Sequence, residues 1–550
     1  MKNLFRFCAV TVLFSLLLSA CGGGAAVPTS PAPSPAPTEA AAPTAAAKPE
    51  EDVLYLNLVW HQHQPLYYKD DKGIYTRPWV RVHATKDYYD MAATVAKYPN
   101  VHVTFNLTPV LIKQLNDFVQ NGAKDQYWVL SEKPASELTN EDKDYILRRF
   151  FDANWDNMIR VHPGYKRLLD LRGGATDADI QNAIQAFTEQ DFRDLQIWFN
   201  LVWMDPDLLT TDPLKALVTK DHDFAEADKT VVFDVVQKIM AEVLPIHKQL
   251  QDEGQIEVIT TPYAHPILPL LYDTNLAAIG NPQAELPKRF SYVQDVIAQL
   301  DKSVEIYKDT YGVEPRGMWP GEGAVAQQIV PFVGRAGYTW MASGEQVLAN
   351  SLGIGSFTRD AKDTVQEADQ LYRPYFVEGP ADGPVKGPPV MMVFRDLLLS
   401  DKIGFTYSQT PGKQAADDFM QRLEDIRARL KDEGAAGPHL VSVILDGENA
   451  WENYPNDGKE FLNALYQDLS DSKTIKTVTP SEYLKLFPDE QKLESLFPGA
   501  WFSPNYDTWI GEPEETTAWN YLGKVRKFLQ DYELNKKQAP SPEALAQAFD

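Results

Sequence analysis

LVSVILDGENAWENYP, Leu440 to Pro455, reads as a strand that runs into a polar cluster. Leu440–Leu445 is apolar or small at every position, as in a strand buried on both faces. Asp446 and Gly447 then end the run with turn-forming residues. The same pattern recurs through the chain: VLYLNLVW (53–60) leads into HQHQP, IEVITT (256–261) into PYAHP, and RGMW (316–319) into PGEGAV. VHVTFN (101–106), YTWMA (338–342) and VMMVF (390–394) bring the β-rich runs to seven. Helix-sized intervals separate most of them, which predicts an α/β fold with parallel strands and crossover helices. Such a fold is either an incomplete or seven-membered (β/α) barrel or a doubly wound sheet. The interval from about 108 to 252 is too long for one crossover. Its helical patterns, such as Asp179–Trp203 and Lys229–Asp252, predict a helical insertion after the second strand. Within 456–550 the pattern beyond Gly458 is mainly helical, which predicts a C-terminal helical region ending near Phe549.

The first 50 residues belong to no such pattern. Lys2 and Arg6 precede an apolar run, Phe7 to Leu18, that is shorter than the roughly 20 residues a membrane span needs, and Leu18-Ser19-Ala20-Cys21 follows. Residues 1–20 therefore read as an export signal. The cysteine resembles that of a bacterial lipoprotein lipobox, which implies lipidation at Cys21 and a membrane-anchored product on the cell envelope. Cys8 would leave with the signal, so no disulfide is expected. Residues 21–50, dominated by Ala, Pro, Thr and Ser, suit an extended tether. The catalytic body is then expected at 51–455. Its net charge is strongly negative, −25 for the whole chain and −27 once Lys2 and Arg6 are removed, with no basic run. Nucleic acid and anionic lipid surfaces, which require clustered Lys and Arg, are poor partners for it.

In β/α barrels the reactive side chains stand at the C-terminal ends of strands. Four runs end in unusual clusters: His61–Pro65, Thr260–Pro266, Trp319–Val325 and Leu445–Pro455. Singly, each has an ordinary structural account. His61 and His63 suit a strand end, Glu322 a first helical turn, and Asp446 a turn before glycine. Together they coincide with seven of the twelve tryptophans (Trp60, Trp319, Trp340, Trp451, Trp501, Trp509 and Trp519), flat amphipathic side chains of the kind on which sugar rings stack.

These clusters resemble, in order, the sequence regions of glycoside hydrolase family 57, specifically its amylopullulanase-type members. HQHQP resembles the first region, GQIEVITTPYAHP (Gly254 to Pro266) the second, GMWPGEGAV the third, LDGENAWENYP the fourth and TWIGEPEETTAW (Thr508 to Trp519) the fifth. The resemblance implies a seven-stranded (β/α) barrel followed by a helical domain, and a retaining mechanism on α-glucans with Glu322 as nucleophile and Asp446 as general acid/base. It also implies that His61, His63, Glu257, Trp319 and Glu448 surround the bound sugar.

Such chemistry needs two carboxyl groups in opposite protonation states. Holding Asp446 protonated at about pH 6 requires raising its pKa by about 2, roughly 2.7 kcal/mol. Partial burial and the charges of Glu448 and Glu322 are the expected causes. Transglycosylation on the same scaffold is the alternative outcome, since a sugar hydroxyl can replace water. A non-catalytic glucan-binding lipoprotein is a different class, with no need for both Glu322 and Asp446. Paired histidines could also hold a metal, as in a deacetylase or a mannosidase-like barrel. No third ligand motif accompanies them, and neither metal nor cofactor is expected.

Overall fold

The computed structural model describes residues 52–534 and Ser541. The expected signal segment, Cys21, the expected tether and the region near Phe549 lie outside these residues. All seven predicted runs are strands: β1 (Leu54–Gln62), β2 (Val103–Leu107), β3 (Ile256–Ile259), β4 (Gly317–Met318), β5 (Trp340–Gly344), β6 (Val390–Arg395) and β7 (Leu440–Asp446). Parallel pairing joins β3 to β2, β2 to β1, β1 to β7, β7 to β6, β6 to β5 and β5 to β4. A bridge between Thr260 and Met318, with Trp319 N–H donating to the Thr260 carbonyl at 3.0 Å, links β3 to β4 and nearly closes the ring. Of the two architectures the pattern allowed, the chain adopts the seven-stranded barrel.

β1 shows why these strands read as continuous apolar runs. Leu54, Leu56, Leu58 and Trp60 face the surrounding helices, while Tyr55 and Val59 pack inside the barrel. All nine residues of the strand are buried, so the alternation of a half-exposed strand never appears. Among the polar residues of these strands, Thr104 Oγ1 donates to Asn57 Oδ1 at 3.3 Å.

The interval after β2 folds into helices running from Pro109–Asn121 to Glu226–Asp252, around an aromatic core that includes Phe150, Trp198 and Phe199. The predicted helix Asp179–Trp203 is two helices, Asp177–Ala186 and Glu189–Val202. Thr188 divides them. Its hydroxyl accepts from Asp191 N–H, and the Asp191 carboxylate accepts from Thr188 N–H, a reciprocal cap that starts a new helix.

Beyond Gly458 the helices Lys459–Asp471, Pro480–Leu486 and Pro513–Leu534 alternate with two strands the sequence reading did not anticipate. Ile475–Thr477 pairs with Leu54–Leu56 of β1, and Gln491–Leu493 pairs with Tyr375–Val377, itself antiparallel to β6. The segment between the two strands closes the N-terminal mouth of the barrel, where Tyr483 and Phe487 pack edge-on against Tyr55. The chain then returns to the opposite end. Val325 bridges Gly499, and Trp501 N–H donates to the Glu322 carbonyl at 3.2 Å. Among the described residues no helix is long and apolar enough to cross a membrane.

Candidate active site

Asp446 is the last residue of β7 and lies in register with His61 of β1. Glu322 follows β4 in the turn Gly321–Gly323, with φ 55° and ψ 29°, a left-handed conformation that residues with a Cβ rarely adopt. Both flanking glycines are required by space. A Cβ on Gly321 would run into the Pro266 carbonyl, and one on Gly323, at φ +58°, would lie 2.6 Å from Trp501 Cβ. The turn is thus clamped between the Thr260–Pro266 loop and the returning C-terminal segment, which fixes where the Glu322 carboxyl points.

His265 completes the clamp. Its Nε2 accepts the Glu322 backbone N–H at 3.0 Å and lies 4.0 Å from Oε1 of the same residue. His61, His63 and His265 form one cluster, with ring centroids 4.2 to 5.5 Å apart. Their ring nitrogens come within 4.8 Å of one another, so the third ligand that the sequence did not reveal is present in space. The donor set nevertheless fits a metal poorly. Because Nε2 of His265 accepts a hydrogen bond, a neutral ring carries its proton on Nδ1, a buried nitrogen with no partner. At His61, Nδ1 faces the Asn106 side-chain amide at 2.6 Å, which leaves Nε2–H as the free donor. Burial pulls all three histidines down, His63 to about 4, so the cluster is uncharged near neutrality. The His61 Nε2–H is the donor this cluster leaves free.

Trp319 lies under the same cluster, 5.8 Å from His61 and edge-on to Trp501 at 5.4 Å. Glu448 sits deeper than the sequence suggested, 2% exposed. Its Oε1 accepts from His63 N–H at 3.0 Å, Tyr88 OH at 3.0 Å and Gln64 Nε2 at 3.4 Å. These contacts hold the HQHQP turn in place from beneath.

Glu257 does not join this group. It is level with Thr104, whereas Ile259 is level with Asn106 and through it with His61. Glu257 therefore stands about 6–7 Å nearer the N-terminal mouth. There it accepts from Trp340 Nε1 at 2.9 Å, Ser481 Oγ at 2.6 Å and Ser481 N–H at 3.2 Å, beside a cavity of about 660 Å³ also lined by Arg316 and Thr339. This geometry makes Glu257 a strut between barrel and C-terminal segment. Glu257→Ala is expected to destabilise the fold by about 1–3 kcal/mol, because its buried partners lose their acceptor. Turnover of the folded fraction should change little. Thermal melts alongside rate measurements check this; a large loss of turnover at an unchanged melting temperature would return Glu257 to the sugar site.

The two candidate catalytic carboxyls are electrostatically joined. Burial and the charge of Asp446 push Glu322 up to about 7. Burial raises Asp446, while the Asn449 amide, donating to Oδ2 at 2.9 Å, and the Arg395 guanidinium pull it back. Burial is thus what raises Asp446, rather than the charges of Glu448 and Glu322 that the sequence reading named beside it. Asp446 in turn helps to hold Glu448 well above the usual carboxylate range, after burial. His265, Arg395 and Trp501 were not singled out for these roles from sequence.

No curated protein matches this sequence. Among solved structures the chain is similar to a GH57-type branching enzyme from Pyrococcus horikoshii, at 18% identity and a TM-score of 0.51 over 87% of this chain and 79% of that one. It is also similar to the α-amylase AmyC from Thermotoga maritima, at 14% identity and a TM-score of 0.50 over 89% and 83% of the two chains. A GH57 branching enzyme from Thermococcus kodakaraensis gives 15% identity and 0.51 over 86% and 78%. At these identities the likeness is one of fold. The sequence model named glycosyl hydrolase family 57 matches residues 57–494, which hold all seven strands except the start of β1 together with Glu322, Asp446 and the three histidines. On that match the chain belongs to glycosyl hydrolase family 57.

Proposed function

We propose that this enzyme cleaves α-glucosidic bonds of starch-like polysaccharides with retention, α-1,4 bonds and, in the amylopullulanase manner, α-1,6 bonds. The observation that carries the reading is the carboxyl pair: Glu322 and Asp446 share the C-terminal end of one barrel, near enough that the charge of one raises the pKa of the other. In this mechanism Asp446 protonates the glycosidic oxygen while the Glu322 carboxylate bonds to the anomeric carbon and the leaving sugar departs. Asp446, now ionised, removes a proton from water, whose oxygen displaces Glu322 and regenerates both groups. In the empty site a proton resides on Glu322 below about pH 7. The pair's proton must therefore pass from Glu322 to Asp446 before the bond breaks, and Asp446 then delivers it to the leaving oxygen while the Glu322 carboxylate meets the positive charge developing at the anomeric carbon. Glu257 falls outside this scheme, and Glu448 acts through the His61–Pro65 turn.

Transfer to a sugar hydroxyl is the second reading, since two of the proteins with this fold are branching enzymes. Incubating the purified chain with amylose, pullulan and maltotriose separates the outcomes. Shortened chains mean hydrolysis, longer or branched products mean transfer, and maltotriose from pullulan means α-1,6 cleavage. No change in any of the three overturns the reading in favour of a non-catalytic binding protein.

We also propose that the enzyme is anchored to the bacterial envelope through lipid on Cys21. Two or more acyl chains hold a protein to a bilayer firmly where one is marginal. Expressed in a bacterium, the full chain should fractionate with membranes, and Cys21→Ser should release it or block its processing. A soluble product with an unmodified N-terminus would exclude the anchor.

A further inference from the structure

Phe405 is 76% exposed, although Ile403 and Tyr407, two residues to either side, are buried. Burying a phenylalanine stabilises a fold by about 1.5–3 kcal/mol, and this one is held out of the core by a rigid mount. Lys402–Thr406 forms a single π-helical turn, a strained geometry found disproportionately at functional sites. The segment that leads into the turn is tied to the strand that bears Asp446. Ile444, two residues before the acid, donates its N–H to Ser400 Oγ at 3.2 Å and accepts from Arg395 Nε at 2.7 Å. Tyr454, from the loop that follows Asp446, donates its hydroxyl to the Ile403 carbonyl at 2.6 Å. A Cβ placed on Gly404 would meet Leu445, the neighbour of Asp446, at 3.9 Å. An exposed aromatic side chain thus stands on a turn packed against the strand end and the loop that flank Asp446.

We propose that Phe405 is the stacking platform for a glucosyl unit on the leaving-group side of the scissile bond. The inference rests on the carboxyl roles given above and extends them. The acid must stand where the glycosidic oxygen departs, so a surface next to Asp446 and away from Glu322 meets the leaving half of the chain. On the nucleophile's side the aromatic row is a different one: Trp319, Trp501 and Phe502, with centroids 5.4 and 6.3 Å apart, backs onto Glu322. A pyranose presents axial C–H groups on one face, and an aromatic face carries partial negative charge that receives them. Phenylalanine offers no hydrogen bond, so this contact would select for a flat apolar sugar face and tolerate varied hydroxyl arrangement at the rim.

The test compares two substrates that differ only on the leaving side. Maltoheptaose places glucosyl units there, whereas in α-maltosyl fluoride the leaving group is a single ion. Phe405→Ala in the full chain should lower the ratio of kcat/KM for maltoheptaose to that for α-maltosyl fluoride by roughly five- to tenfold, the scale of one aromatic contact. Phe405→Trp should restore the ratio, which a merely structural role would not predict. With so exposed a ring, the melting temperature of the alanine variant should stay within about 1–2 °C of the native value. A native enzyme that turns over both substrates while Phe405→Ala leaves the ratio intact overturns the platform and spares the carboxyl assignment. A native enzyme that turns over neither overturns both.

Discussion

Glu322→Ala is expected to reduce turnover of α-glucans by several orders of magnitude while leaving the fold intact. The turn that carries Glu322 is strained by the Cβ at φ 55°, and alanine keeps that Cβ, so the backbone penalty is the same in both proteins. His265 accepts the backbone N–H of residue 322 and Trp501 donates to its carbonyl, contacts that survive any side chain. A half-buried carboxyl whose ionisation is disfavoured is removed, which should leave the melting temperature level or slightly raised. Loss of activity without loss of stability is therefore the signature. The smaller side chain also opens room for an external nucleophile. Azide should restore part of the activity and yield a β-glycosyl azide, inverted at the anomeric carbon, because it attacks from the face the carboxylate has vacated. Near-normal activity of Glu322→Ala, or azide products of retained configuration, would remove Glu322 from the nucleophile role.

The barrel was legible because its strands are buried on both faces, so each appears as a short apolar run that no amphipathic helix imitates. Strand ends were legible for the same reason: polarity changes abruptly at His61, Thr260, Trp319 and Asp446. Contacts made across the chain left no local mark. His265 lies 57 residues before Glu322 and meets it through a left-handed turn of its own, at φ 56°. Trp501 reaches the same turn from the far end of the chain. Parity along β3 places Glu257 inside the barrel, but its height depends on the stagger between β2 and β3, which no single strand encodes. The unanticipated strands Ile475–Thr477 and Gln491–Leu493 are three residues each, too short for a period of two to emerge, and exist because the edges of β1 and of Tyr375–Val377 receive them.

Asp446→Asn is expected to separate the acid from its neighbours by leaving group. Asparagine is isosteric and keeps the strand-end position in register with His61, but it has no proton to give. General-acid help is worth about 10²- to 10⁴-fold, and only when the departing oxygen is basic. Asp446→Asn should therefore lower cleavage of natural glucans by that factor, yet barely slow formation of the glycosyl-enzyme from substrates with activated aryl leaving groups. The second step needs a base, so the intermediate should accumulate, and azide, which needs none, should speed its release with retained configuration. The pH profile gives an independent sign. The charge of Asp446 is one cause of the raised Glu322 pKa, so removing it lets Glu322 ionise more readily. The acidic limb for the aryl substrate, which requires ionised Glu322, should move to lower pH from about 7, and the basic limb for that step, which requires the proton of Asp446, should vanish. Glu448→Gln predicts something else. It keeps an acceptor for His63 N–H and Tyr88 OH but alters a buried group beneath the first loop, so both substrate types should weaken comparably. Glu452, whose backbone carbonyl receives Asn157 from the insertion and whose charge acts on Lys86 alongside the closer Asp457 and Asp87, should tolerate glutamine. Were Glu448→Gln alone to show the leaving-group-dependent loss, the proton donor would be Glu448 and Asp446 its electrostatic neighbour.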